Sequence, residues 1–103
     1  MRKDDTRCVR WSEKAIDEIE KLSAYIAQDN AAAARRMRES IRKTADFLAG
    51  MPTIGRPGRV TGTYEKIVTD SPYILVYQYD EKTLYILRII HMSRDWPPEA
   101  WPE

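Results

Sequence analysis

The hydrophobic period of this chain changes at Gly55-Arg56-Pro57-Gly58-Arg59-Val60-Thr61-Gly62. Before that stretch, apolar residues recur at helical spacing. After it, they alternate as strands do. Runs of helix followed by runs of strand define an α+β architecture, with the helices packed on one face of a sheet. The stretch itself holds three glycines, one proline and two arginines in eight residues. Glycine and proline allow it to turn sharply and hold side chains at fixed directions. Arg56 and Arg59 on such a loop either grip a phosphate or carboxylate as bidentate forks, or stay solvated on a plain helix-to-sheet connection.

The helical half divides in two. Cys8-Val9-Arg10-Trp11 reads as a short strand, at a sheet edge or paired with a strand from far along the chain. Ser12 then supplies an N-cap, and Glu13, Asp17 and Glu18 place negative charge near a helix N-terminus. Ile16, Ile19, Leu22 and Ile26, with Ala15 and Tyr25 beside them, mark an amphipathic helix of about four turns ending near Gln28. Asn30 caps a second helix over 31–48, whose apolar stripe is Ala34, Met37, Ile41, Ala45 and Leu48. Gly50 occupies the place of a left-handed C-cap, with Pro52 beyond it. A connection of about two residues makes these helices an antiparallel hairpin.

The extended half predicts an antiparallel three-strand meander. Its strands run over 63–69, 73–79 and 84–91, with turn signals at Asp70-Ser71-Pro72 and Asp80-Glu81-Lys82-Thr83. Tyr73 to Tyr79 is apolar on both faces, the mark of a central strand. In the last strand, alternation points Leu84, Ile86, Arg88 and Ile90 one way, and Tyr85, Leu87, Ile89 and His91 the other. The tail from Trp96 is proline-rich, irregular, and expected to lie over the surface.

Charge is distributed unevenly. Residues 31–60 carry seven Lys/Arg against two Asp/Glu, although the whole chain is at +1. Arg35, Arg38 and Arg42 share one side of the second helix, with Arg36 and Lys43 alongside. They form either a solvated face or a basic patch for an acidic partner. At 103 residues the chain is expected to form one domain over its whole length. It has no run of about 18 apolar residues and no apolar segment behind its charged start, so no membrane span or signal peptide is expected. Cys8 and His91 are single of their kind, which excludes a zinc constellation. These features fit the cytoplasm.

Few residues offer chemistry. Arg88, flanked by Ile86 and Ile90, must pair with a carboxylate such as Glu65 or open onto a polar surface and bind an anion. His91 is the natural general acid or base, or else structural. Arg94 and Asp95 suggest a loop ion pair, and Tyr64 either donates a proton or packs. Gly-Arg-Pro-Gly-Arg lacks the Lys-Ser/Thr ending of a nucleotide P-loop.

Several pieces stand in a fixed order: Val9-Arg10-Trp11-Ser12, Gly55-Arg56-Pro57-Gly58-Arg59-Val60, Gly62-Thr63, Pro72-Tyr73-Ile74 with Val76-Tyr77, and Ile86 to His91 followed by Arg94-Asp95-Trp96-Pro97. As an ordered set over nearly the whole chain, they resemble the ParE branch of the RelE/ParE toxin superfamily. The resemblance implies the small α+β toxin fold and a toxin of a type II toxin–antitoxin pair, neutralised by a ParD-like antitoxin. It implies inhibition of DNA gyrase by binding, with no catalytic residue, cofactor or metal, and no sequence-specific nucleic-acid binding. Target or anion contacts then fall to Arg56, Arg59, Arg88, His91 and Arg94. The antitoxin covers the apolar seam of the helical hairpin and the side carrying Arg35, Arg38 and Arg42.

Ribonuclease members of the superfamily cut messenger RNA at the ribosome with clustered basic residues on the sheet and a Tyr or His. On that alternative, Arg59 and Arg88 grip phosphate and His91 moves the proton. The strand from Tyr73 to Tyr79 has no Lys or Arg, which favours the gyrase reading. The family commonly has arginine after Gly62-Thr63, where this chain has Tyr64. That departure leaves a third reading, an antitoxin-binding domain without toxic activity.

Overall fold

The computed structural model describes residues 6–94. Strand β1 (Cys8–Trp11) leads into helices α1 (Glu13–Ala27) and α2 (Ala31–Gly50) and a short 3-10 turn, Pro52–Ile54. Strands β2 (Arg56–Pro57), β3 (Tyr64–Ile67), β4 (Tyr73–Tyr79) and β5 (Thr83–His91) follow. The sheet order is β1-β5-β4-β3-β2, with β1 parallel to β5 and every other pair antiparallel. The expected α+β arrangement and meander are present, with β4 central. β1 lies at the edge beside the most distant strand in the chain. The two-residue β2, inside the glycine loop, has no periodicity of its own and is an addition to the sequence reading.

Local chemistry sets the helix starts. The Ser12 hydroxyl accepts from the Ala15 amide at 2.9 Å and donates to the Leu87 carbonyl at 2.8 Å. One side chain thus starts α1 and pins it to β5. Asn30 starts α2 by accepting from the Ala33 amide at 2.9 Å. The C-terminus of α2 differs from expectation. Gly50 is the last helical residue and is not left-handed; the chain leaves through Met51 at φ −142°. An extended exit into Pro52 makes a left-handed residue unnecessary.

The core lies between the hairpin and one sheet face. Ala15, Leu22, Ile41, Ala45 and Leu48 pack on Leu75, Tyr77, Leu84, Ile86 and Ile89. Alanines at the contact let the helices approach the sheet closely. Ile16, expected in the α1 stripe, and Tyr25, expected beside it, are exposed instead. The opposite sheet face carries a smaller buried group of Ile74, Val76 and Ile90, with Val60 of the loop packed against it.

A bulge overturns the expected alternation in β5. Val76 stands opposite Arg88 and Tyr77 opposite Ile86, so Leu87 is an extra residue. Beyond it the parity flips. Ile89 joins Leu84 and Ile86 in the main core, and His91 faces the helices with it, opposite Tyr73. Arg88 and Ile90 fall on the other face, with Val76 and Ile74.

Candidate functional site

The glycine loop is organised by a buried carboxylate. Arg56 stands opposite Glu65 in the β2–β3 pair. The Glu65 side chain is 1% exposed, whereas Arg56 and Arg59 are 57% and 46% exposed. Glu65 accepts from Arg56 Nη2 at 3.2 Å and from the Arg59 amide at 3.0 Å. The Arg59 Nε lies 3.8 Å from Oε1 of the same carboxylate. Both arginines are therefore fixed by one side chain while their heads remain accessible. Glu65 was visible in the sequence only as a candidate partner for Arg88. The usable signal was a lone carboxylate on the strand following two loop arginines.

Further bonds close the loop. The Gly58 amide donates to the Thr63 carbonyl at 2.7 Å, and the Thr63 hydroxyl donates to the Val60 carbonyl at 2.6 Å. A methyl on Gly58 would run into the Thr63 hydroxyl, and one on Gly55 into the Tyr77 hydroxyl. These glycines are required by close approach. The Tyr77 hydroxyl donates to the Pro52 carbonyl at 2.5 Å, tying the central strand to the start of the loop. Burial pushes its pKa up to about 12.

Tyr64, at the position where the family commonly has arginine, lies on the other face. It packs against Tyr77 and Tyr79 with ring centroids 5.7 and 5.2 Å away. It stands opposite Tyr77, whereas Glu65 stands opposite Val76. Tyr64 is thus part of an aromatic cluster on the helix side, apart from the row that joins Arg56 to Glu65.

Arg88 is paired, but with Glu18 rather than Glu65. Its Nε and Nη2 donate to Glu18 Oε2 at 2.9 and 2.7 Å, and the side chains are only 5% and 12% exposed. The other Glu18 oxygen accepts from the Ile89 amide at 2.8 Å. Glu18 therefore covers the edge of β5 just past the end of β1, a role its place in the first turns of α1 does not advertise. Arg88 is consequently not the open anion contact allowed by the sequence.

His91 is half-buried, edge-on to Tyr73 with centroids 5.2 Å apart. The Ser93 amide donates to its Nδ1 at 3.0 Å. The neutral ring therefore carries its proton on Nε2 and presents a donor outward rather than a base. Arg94 is exposed, and its amide donates to the His91 carbonyl at 3.0 Å. The expected Arg94–Asp95 pair and the tail from Trp96 fall outside the described residues. Of the three residues proposed for ribonuclease chemistry, Arg88 and His91 occupy opposite faces of the sheet, and Arg59 belongs to the loop.

The helical hairpin presents a second surface. A groove of about 500 Å³ is floored by Trp11, Ile19 and Ile41 and lined by Arg35, Arg38 and Arg42. It meets a further hollow along the α1–α2 seam, which shares Arg35 and Arg38. Arg38 Nη1 donates at 3.0 Å to the buried Ser23 hydroxyl, which fixes that guanidinium over the seam. Arg42 is held by Glu39 and by Asp46, and the bond to Glu39 raises its pKa further. Among the described residues Arg35 and Arg38 have no ion-pair partner, so they carry the open charge of the groove. Among the same residues, no three potential metal ligands gather, and no helix is long and apolar enough to cross a membrane.

Two helices on one face of a five-stranded mixed sheet form a fold shared with chains of solved toxin–antitoxin systems. A chain of the chromosomal ParDE TA system from P. aeruginosa superposes with a TM-score of 0.74 at 20% identity, covering 84% of this chain and 97% of that one. A chain of the RelBE2 toxin–antitoxin complex from Mycobacterium tuberculosis gives 0.58 at 27% identity, covering 84% and 91%. The family model for the ParE toxin of type II toxin–antitoxin system, parDE, matches residues 9–96. The chain belongs to that family. Among curated relatives, Y4kP of Sinorhizobium fredii, a toxin by name, is 36% identical over 86% of this chain and 92% of its own length. Toxin RelE2 of Caulobacter vibrioides is 33% identical over 84% and 96%.

Proposed function

We propose that this type II toxin acts without catalysis, inhibiting DNA gyrase by binding, and that a ParD-like antitoxin neutralises it along the hairpin groove. The observation that carries the reading is the state of the catalytic candidates. Arg88 is committed to Glu18, His91 offers a donor in place of a base, and the two sit on opposite sheet faces. Phosphodiester cleavage needs an acid, a base and a cationic clamp around one phosphate. The Arg56–Arg59 loop remains as the target contact, with Arg94 a further exposed cation. For the antitoxin, the apolar floor at Trp11 and Ile19 beneath Arg35 and Arg38 suits an amphipathic segment bearing acidic residues.

One observation favours the second reading, a ribosome-dependent ribonuclease: a curated relative as similar as 33% carries the name RelE2. The two readings separate in a paired assay on toxin freed of antitoxin. Supercoiling by gyrase is measured beside messenger-RNA cleavage in a translating extract. Inhibited supercoiling with intact RNA, unchanged by His91→Ala, is the expected result. Cleaved RNA with active gyrase, abolished by His91→Ala, would replace the first reading with the second. A folded toxin silent in both assays refutes both.

A further inference from the structure

We propose that Glu65 is the positioning residue of the arginine loop. Its buried carboxylate sets Arg56 and Arg59 as one preformed receptor for a carboxylate on the target protein. This inference rests on the binding reading above.

Three observations converge on it. First, Glu65 is a carboxylate side chain buried on a sheet face between Arg56 on β2 and the fully buried Val76 on β4. Burying a charge there costs desolvation that an apolar residue at the same place would avoid. Sheet stability alone therefore does not call for glutamate. Second, its carboxylate meets the loop at three points: the Arg59 amide, the Arg56 guanidinium and the Arg59 guanidinium. The amide bond sets the path of the backbone, and the guanidinium contacts set the direction of the forks. Third, the loop is rigid around this carboxylate. Gly55 and Gly58 admit no side chain, and Thr63 ties both Gly58 and Val60. A receptor ordered before binding loses less conformational entropy when it binds.

The same geometry selects the partner. An anion already placed between two cations lowers the local positive potential. Such an arrangement suits a single carboxylate, which can accept from both forks, better than the run of phosphates along a nucleic acid. The heads of Arg56 and Arg59 are about half exposed, so an acidic side chain on a protein surface can reach them.

The test compares full-length wild-type toxin with Glu65→Gln, Glu65→Asp and the double variant Arg56→Lys/Arg59→Lys. Each is scored for gyrase inhibition, antitoxin affinity and unfolding midpoint. The Lys variant keeps the charge and loses the forks. The expected result is at least a tenfold rise in the concentration of Glu65→Gln needed for half inhibition, with antitoxin affinity within twofold of wild type. Glu65→Asp recovers part of the loss, and the Lys variant matches Glu65→Gln. Undiminished inhibition by Glu65→Gln or by the Lys variant overturns the proposal. A parallel loss of antitoxin binding and midpoint also overturns it, leaving Glu65 merely structural. Should wild-type toxin leave gyrase untouched, the gyrase reading fails by itself, and the loop is then scored by growth arrest on expression. Arrest relieved by Glu65→Gln with antitoxin binding intact supports the positioning role on another protein target. Arrest retained, or arrest that tracks RNA cleavage, overturns it.

Discussion

Removing the carboxylate of Glu18 takes its two oxygens away from two buried donors. The Arg88 guanidinium loses its two bonds to Glu18, at 2.9 and 2.7 Å, in a site where it is 5% exposed. The Ile89 amide loses its 2.8 Å bond at a sheet edge that β1 no longer covers. Breaking a buried pair from one side costs about 3–5 kcal/mol, and an orphaned amide about 1–3 kcal/mol. The two penalties overlap, because local opening to water relieves both. We therefore expect Glu18→Ala to destabilise the toxin by about 4 kcal/mol, a large part of the roughly 5–15 kcal/mol that holds a domain folded. For a chain of this size the unfolding midpoint should fall by roughly 15–30 °C. Urea unfolding followed by tryptophan fluorescence measures the change directly, read as a shift in midpoint concentration at constant slope.

The partner substitutions sharpen the test. Arg88→Met in the Glu18→Leu background removes both charges and leaves the amide as the main deficit, so the double variant should recover about half of the loss. A Glu18→Ala cost below about 1 kcal/mol, the level of an exposed pair, would refute the reasoning. It would mean that Arg88 reaches solvent and is available to a ligand after all.

Other substitutions and conditions probe the remaining contacts. Because the Tyr77 phenol titrates at about 12 when folded and near 10 when unfolded, its stabilising effect is complete below pH 10. It is lost as the pH rises from 10 through 12; base titration of the unfolding midpoint should show this decline, and Tyr77→Phe should remove that component of it. Gly55→Ala drives a methyl into the Tyr77 hydroxyl and should cost about 1–3 kcal/mol in urea unfolding; a neutral result would show that the loop yields easily. Reversing Arg35 and Arg38 to Glu should weaken antitoxin binding by at least tenfold in calorimetry without lowering the unfolding midpoint by more than a few degrees. An unchanged dissociation constant would remove the hairpin groove as the antitoxin surface.

The residues that shape local structure could be read directly from the chain. Ser12 and Asn30 announce the helix starts because a short polar side chain beside a helical period satisfies the first free amides. The alternation after Gly62 announces the meander, because each strand must bury at least one face. The arginines of the loop and of α2 stand on the elements where the reading placed them. Their pairings were not legible. Glu18 and Glu65 are both plain carboxylates in the sequence, and each takes an arginine according to sheet register and burial. Sequence spacing carries no information about either.

The parity of β5 was equally hidden. A single extra residue at Leu87 moves Ile89 and His91 to the helix face and Arg88 to the other, and with them the candidate catalytic set comes apart. Tyr64 reads as a missing arginine until the β3–β4 pairing places it among tyrosines on the helix side. Periodicity and capping are short-range properties, so the sequence by itself determined the order and nature of the elements. Ion-pair choice, strand register and the face a side chain occupies depend on contacts between elements, from 9 positions apart for Arg56 and Glu65 to 70 for Glu18 and Arg88, and only the packed sheet decided them.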